Sequence, residues 1–422
     1  MNLVYLKNIL HNQKFKNFFI YGTGQAVNIV SPLLITPYIV FACGIDKLGL
    51  IAVGQSLAYI LCVIIDYSSY IIGVREISIN RNNPKVLEKI FLTHYTSKVF
   101  LLLLTGLILL LLVYLVPYFI QNSEVIFYSF PIIIAQFLNP TWFFQGIEKF
   151  LWISFINVLS KVLFLASVFT LVALPNDFVY VNLILGLSGT VANSIGLISI
   201  YKVNNFSFRN INLWEVKKLI SDDFSFCFSQ LLFAIRNYSS VVIIGFFAGD
   251  FVAGQFKVIE QIIGLLRTYL QMFFKFSYSY ICLEINQNVA NGLRIWKRHN
   301  GLNFIFTSAL IALIVFFSSE ILVFFKVTLN LIPQFENYLH IALIIPLLIA
   351  ITLAMEQLIF SFNKNKPYVR ITFFITLFHI LGVSSMIFWQ NVYFVFLFLI
   401  VTEIFLILLY SILLQPLLNK KN

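Results

Sequence analysis

Apolar residues are grouped into runs long enough to cross a bilayer, separated by short polar connections. The runs cover 17–43, 48–73, 90–116, 124–145, 151–173, 178–201, 223–247, 253–280, 301–324, 338–360, 371–389 and 392–415. A helical crossing needs about 20 residues, so the pattern predicts about twelve transmembrane helices and an all-α integral membrane protein. The eighth run differs from the others. Its residues Lys257, Glu260, Gln261, Gly264, Arg267, Gln271 and Lys275 recur at helical spacing, so at about 100° per residue they share one face. Between Lys257 and Lys275 the helix rises about 27 Å, close to the hydrocarbon thickness. Such a face cannot meet lipid, because a central Arg or Lys costs about 3 kcal/mol on insertion scales. Lys257 and Lys275 lie near the ends, where they can snorkel, and Glu260 can neutralise a neighbour. Arg267 stands near mid-helix, where it either faces a water-filled lumen or joins an internal ion pair.

The longest polar connection runs from about Lys202 to Asp223, and its segment from Asn212 to Ile220 reads as an amphipathic helix lying at the membrane interface. It divides the chain into six spans and six, with lobes expected over 1–207 and 208–422. Across this divide Phe41-x-x-Gly44-x4-Gly49 is echoed by Phe246-x-x-Gly249-x4-Gly254 at a constant offset of 205 residues, which sets Gln55 opposite Glu260. Because each half holds an even number of spans, both halves enter from the same side. That is the pattern of a parallel repeat, whose site is expected at the interface of the halves.

Composition agrees with the pattern: 60% of residues are hydrophobic, 11% are charged and the mean hydropathy is +0.92, outside soluble globular usage. A net charge of +11 would suit a nucleic-acid partner, but the basic residues cluster in alternate short connections. Lys7, Lys14 and Lys16 precede the first span, and Arg75, Arg81, Lys85, Lys89 and Lys98 are assigned to the connection after the second. Lys297 and Arg298 follow the eighth, and Lys420 and Lys421 end the chain; the opposite side holds only Lys47 and Lys326. This is the ordinary orientation signal, and it places both termini in the cytoplasm with no role for nucleic acid. Trp142, Trp152 and Trp389 fall near span ends, as interface anchors do. Cys43, Cys62, Cys227 and Cys282 are scattered without a CxxC or Cys/His cluster, which supports neither a disulfide framework nor a metal site. The sequence has no GxxxxGKS/T, HExxH or GxSxG signature, and its external segments are too short to build an active site. A transporter without a cofactor is expected rather than an enzyme.

Several polar groups inside the spans are candidates for contact with a transported molecule. Gln25, Asn28, Pro32 and Thr36 share a face of the first span, Gln55, Tyr59 and Asp66 of the second, and Ser229, Arg236 and Ser240 of the seventh. The amides and hydroxyls either touch substrate or join helices through hydrogen bonds worth under about 1 kcal/mol each. Arg236 lies about 21 Å from the inner end of its span. Together Arg236, Lys257, Arg267 and Lys275 outweigh Glu260, an excess that suits an anionic substrate such as a pyrophosphate. Lys161 either adds to that excess or pairs with Asp66. Glu356, His379 and Glu403 fall in the last three spans, away from the basic stripes. They either bind a coupling Na⁺ or H⁺ or tie helices together.

The stretch Asn139-Pro-Thr-Trp-Phe-Phe-Gln-Gly-Ile-Glu-Lys149 resembles the O-antigen, or polysaccharide-unit, flippase family of the multidrug/oligosaccharidyl-lipid/polysaccharide exporter superfamily. The likeness rests on Pro140, Trp142, Gln145, Gly146, Glu148 and Lys149, where Gly146 is expected to end the helix and Lys149 to stay inside. Pro37-Tyr38, the Gly44/Gly49 turn, Asp66 and Arg75 extend it toward the N-terminus. The resemblance implies two six-helix pseudo-symmetric lobes in a MATE-like V. It also implies alternating access and transfer of an undecaprenyl-diphosphate-linked oligosaccharide from the cytoplasmic to the periplasmic leaflet of the bacterial inner membrane. It further implies a monomer surrounded by membrane lipid and working beside other polysaccharide-assembly membrane proteins. A cation-coupled multidrug exporter of the same superfamily is the alternative within transport, disfavoured by the basic excess. A membrane-embedded polymerase or sugar transferase is the alternative from another class, disfavoured by the short external segments.

Overall fold

The computed structural model describes residues 13–204, 206, 212–362, 364–385, 389 and 391–419. Lys7, Lys420 and Lys421 of the orientation pattern lie outside the described residues, as do the side chains of Lys14, Lys16 and Gln25. Among the described residues every regular element is helical. The main helices are α1 (Gln13–Cys43), α2 (Ile45–Asp66), α3 (Pro84–Leu115), α4 (Phe130–Leu138), α5 (Phe150–Leu171), α6 (Tyr180–Asn204), α7 (Leu213–Asp222), α8 (Phe224–Ala248), α9 (Asp250–Gln287), α10 (Val289–Phe316), α11 (Ile344–Ser361), α12 (Asn365–Ser385) and α13 (Val392–Asn419). Eleven spans among the described residues are long and apolar enough to cross a membrane. They match the sequence runs except the eighth, now α9, whose Asp250, Lys257, Glu260, Arg267, Lys275 and Glu284 make it too polar to qualify by composition.

Local chemistry explains where helices begin and break. Asn83 caps α3, its side chain accepting from Val86 N at 3.4 Å ahead of Pro84 at the first position. Asn212 does the same for α7, accepting from Trp214 N at 3.0 Å, so the expected amphipathic helix is present. It leaves Trp214 exposed, buries Val216 and pairs Glu215 with Lys89 at 2.6 Å. The fourth run is not one continuous helix. It divides into Ser123–Phe127, α4 and Thr141–Gly146, because Pro140 bars Asn139 from helical backbone, which is extended there. The run 338–360 is likewise interrupted at Leu343, between the helix Ile332–Ala342 and α11 and just ahead of Pro346, whose ring excludes a continuous turn.

Contacts separate the chain into two units. The first comprises Met1–Ile35 with Val53–Ala234. Its core gathers Phe91 and Leu92 of α3, Trp142, Phe143 and Phe144 of the motif, Ile153 and Ile156 of α5 and Ala192 and Ile200 of α6. Trp142 is 1% exposed, so it is a core residue and not the interface anchor expected from its place in the sequence. Gly146 closes the short helix Thr141–Gly146, but its distinguishing feature is packing, since a Cβ there would lie 2.5 Å from Ile77 Cγ2. The positive φ after that helix, 59°, falls on Glu148. Trp389, by contrast, is exposed.

The second unit comprises Thr36–Ala52 with Ile235–Asn422. Ile281 and Ile285 of α9, Leu358 and Ile359 of α11, Ile375 of α12 and Leu406, Tyr410 and Leu414 of α13 form its core. The repeated Phe-x-x-Gly-x4-Gly stretches meet here. Gly44 and Gly249 take positive φ values of 94° and 88°, which only glycine adopts without strain. Each sits directly before the helix of its repeat, α2 or α9. A Cβ on Gly49 would lie 1.9 Å from the Asp250 carbonyl oxygen, and one on Gly254 would lie 1.9 Å from that of Ile45. Because Ile45 and Asp250 are themselves related by the 205-residue offset, the two contacts are symmetric, and the echo in sequence is an echo in structure.

Candidate functional site

The polar stripe of α9 is built by a helix that buries its other face. Val258 and Ile259 are 0% exposed, and Ile262, Ile263, Leu266 and Leu270 are also buried. Lys257, Glu260, Gln261, Gly264, Arg267 and Gln271 are all partly exposed, and Lys275 is exposed. A Cβ on Gly264 would meet nothing within 4 Å, so the stripe fronts open space. Lys257 Nζ donates to Glu260 Oε2 at 2.8 Å, the neutralisation allowed for in the sequence. That pair leaves Arg267 as the stripe's cation nearest mid-helix.

Arg236 of α8 has carboxylate company. Glu403 of α13 and Glu356 of α11 both lie within its electrostatic reach, together with the phenols of Tyr410 and Tyr368. Glu356 is buried, and its Oε1 accepts from Tyr410 at 3.0 Å and from Tyr368 at 3.5 Å. His379 is buried as well; its Nε2 is hydrogen-bonded to Ser240 Oγ at 3.1 Å, and Arg236 and Arg267 both act on it electrostatically. The expectation that Glu356, His379 and Glu403 stand apart from the basic groups is thus corrected. Helices α11, α12 and α13 return them to α8, and the basic excess read from two spans is offset by two carboxylates. The guanidinium balances one of the two carboxylates, so the group is neutral while it holds one proton or one small monovalent cation and carries one excess negative charge once that is released.

In the first unit Asp66 does not pair with Lys161. Its Oδ1 lies 3.7 Å from Lys98 Nζ. Lys98, assigned from sequence to a basic connection, is 0% exposed inside α3, where its ammonium also faces the rings of Tyr95 and Trp142. Nearby, Ser69 Oγ and His94 Nδ1 are 3.1 Å apart. Lys161 instead lines a cavity of about 290 Å³ with the carboxamides of Asn28, Gln136, Asn139, Gln145, Asn157 and Asn193. The motif builds one wall of it: Asn139 Oδ1 accepts from Thr141 N at 3.0 Å and from Thr141 Oγ1 at 2.6 Å, fixing the turn that sends Trp142 to the core and Gln145 to the cavity. Glu148 pairs with Arg81 at 3.2 Å, and Lys149 is exposed. The burial of Lys98 was legible in its position, since it stands inside the apolar run 90–116. Asn157 was legible, standing one helical turn from Lys161 and so on the same face. Tyr368 and Tyr410 carried no signal, since each is one of many tyrosines in apolar runs.

Comparison with known proteins bears on these sites. The model of the polysaccharide biosynthesis protein family matches residues 15–280. A relative in Escherichia coli (strain K12) named "Putative O-antigen transporter" is 23% identical over 360 residues, covering 84% of this chain and 86% of its own. Among solved structures, the lipid II flippase MurJ in an inward closed conformation superposes with a TM-score of 0.70 at 12% identity, over 94% of this chain and 87% of that one. An inward-facing multidrug resistance MATE family transporter of the MOP superfamily gives a TM-score of 0.58 at 14% identity, over 96% of each chain. These structures share the helical fold. With more than half of its length matched by the family model, the chain belongs to the polysaccharide biosynthesis protein family.

Proposed function

We propose that this protein is a flippase that carries an undecaprenyl-diphosphate-linked oligosaccharide from the cytoplasmic to the periplasmic leaflet of the bacterial inner membrane. It works by alternating access, with both termini in the cytoplasm and with Na⁺ or H⁺ driving the cycle. The observation that carries the reading is the α9 stripe, which keeps Arg267 and its amide neighbours on the more open face while the apolar face is packed away. At membrane depth a face of that composition must border water or polar substrate. Family membership and the relative named for O-antigen transport support a polysaccharide unit as the cargo, and a lipid diphosphate is the carrier we propose for it. Guanidinium suits the diphosphate because its fork binds phosphate oxygens bidentately and stays protonated when partly desolvated.

The test is a strain lacking the gene, examined for lipid-linked oligosaccharide on each leaflet. The unit is expected to accumulate on the cytoplasmic side. Complementation with Arg267→Gln is expected to lower export about 10- to 100-fold, the worth of a charge-assisted hydrogen bond, while Arg267→Lys keeps partial activity. An Arg267→Gln protein present at normal level and exporting at the normal rate would return Arg267 to a structural role.

A further inference from the structure

The cavity of the first unit is unlike the α9 stripe in its chemistry. Among the described residues it offers six carboxamides, the hydroxyls of Thr141 and Ser160, the phenol of Tyr70 and the charge of Lys161, with no carboxylate in the lining. Among the described residues Gln145, Asn157 and Lys161 find no side-chain hydrogen-bond or ion-pair partner, and the Lys161 ammonium lies 5.9 Å from the ring of Phe164. They come from two elements, the short motif helix and α5, and they converge on one space. Polar groups held at membrane depth without partners are costly. They are retained where a ligand supplies the partners. Carboxamides both donate and accept, and so match ring hydroxyl and acetamido groups. At about 290 Å³ the space is at the small end of ligand cavities, suited to one sugar ring rather than to a whole repeat unit.

We infer that this cavity recognises a sugar ring bearing a single carboxylate, with Lys161 pairing the acid and Gln145, Asn157 and their carboxamide neighbours taking the hydroxyls. The inference rests on the flippase reading and names the class of glycan carried: a repeat unit that contains an acidic sugar. The charge decides between a sugar acid and the lipid diphosphate. One lysine balances a monoanion, whereas a diphosphate would leave negative charge uncompensated in a cavity with no arginine.

Purified full-length protein in lipid nanodiscs can be titrated with methyl glucuronide, methyl glucoside and inorganic pyrophosphate, followed by saturation-transfer NMR. The glucuronide is expected to bind at least about tenfold more tightly than the glucoside. That preference should vanish in Lys161→Gln and return in part in Lys161→Arg, both checked for unchanged thermal unfolding, and pyrophosphate should not compete. Equal binding of the two glycosides, absence of binding by both, or displacement by pyrophosphate would each overturn the inference. Flipping assays in vesicles separate it from the flippase reading. Wild-type protein that flips acidic and neutral lipid-linked units equally, with Lys161→Gln unimpaired on both, sinks the acidic-sugar inference and leaves the flippase standing. Wild-type protein that flips neither unit but keeps its glucuronide preference does the reverse.

Discussion

At the scale of single residues, charge pairing is the main correction to a reading by helix face. Arg236 read as a lumen cation because α8 itself carries no carboxylate, yet Glu403 and Glu356 lie within its reach. Lys98 read as a loop residue, yet it is 0% exposed and set against Asp66 at 3.7 Å. Glu356 is the residue on which a functional role can be separated from a structural one. Its carboxylate is held by Tyr410 and Tyr368 and shares its surroundings with a second carboxylate and one guanidinium, which leaves the group one negative charge in excess when both acids are ionised. If that excess is met by a coupling ion, Glu356→Gln keeps the shape and removes the need for the ion. Transport by Glu356→Gln is then expected to lose its dependence on Na⁺ or pH, measured as flipping rate in vesicles under imposed gradients. An unchanged dependence would assign Glu356 to helix joining alone.

At the scale of elements, the repeat that was a faint pattern in sequence becomes a specific contact. α2 and α9 each begin after a glycine at positive φ, and each presents a second glycine to the first turn of the other. No side chain fits there, because a Cβ would fall 1.9 Å from a backbone oxygen. Gly49→Ala and Gly254→Ala are each expected to destabilise the folded protein by about 1–3 kcal/mol, as overpacking does. Both changes push the same two helices apart, so the double variant should cost less than the two singles added. Thermal unfolding in detergent measures this, and melting temperatures equal to wild type would show that α2 and α9 do not approach so closely.

At the scale of the whole molecule, orientation is the property that hydropathy and charge together predict. Native cysteines are poor reporters of it: Cys43, expected near the outer boundary of its span, is buried, and burial blocks labelling from either side. Leu329, 75% exposed, and Arg298, exposed in the polar N-terminal part of α10, are better positions. In a protein with its four cysteines replaced by serine, Leu329→Cys is expected to react with an impermeant thiol reagent in intact cells. Arg298→Cys should react only after lysis. The opposite labelling would invert the topology and place both termini outside.

The all-helical class, the approximate places of the spans, the amphipathic helix α7, the repeat and the α9 stripe were legible in the chain, because each depends on the local solvation of side chains and on the 3.6-residue period. The number of crossings was not, since eleven spans among the described residues are apolar enough to cross and α9 is not one of them. The motif around Trp142 was legible as a family mark but not as a structure. Whether Trp142 goes to a membrane interface or into the core depends on Phe91, Ile153 and Ile200, which are remote in sequence. The same holds for every charge whose role turned on its neighbour. Arg236 is more than a hundred residues from Glu356 and Glu403, and Lys161 is separated from Asn28 by the whole of α2, α3 and α4. In a bilayer each span is independently stable as a helix, so the sequence alone determined the approximate places of the spans. Which faces meet is settled only when helices pack side by side, and that packing alone decided which charges are paired and which are left for a ligand.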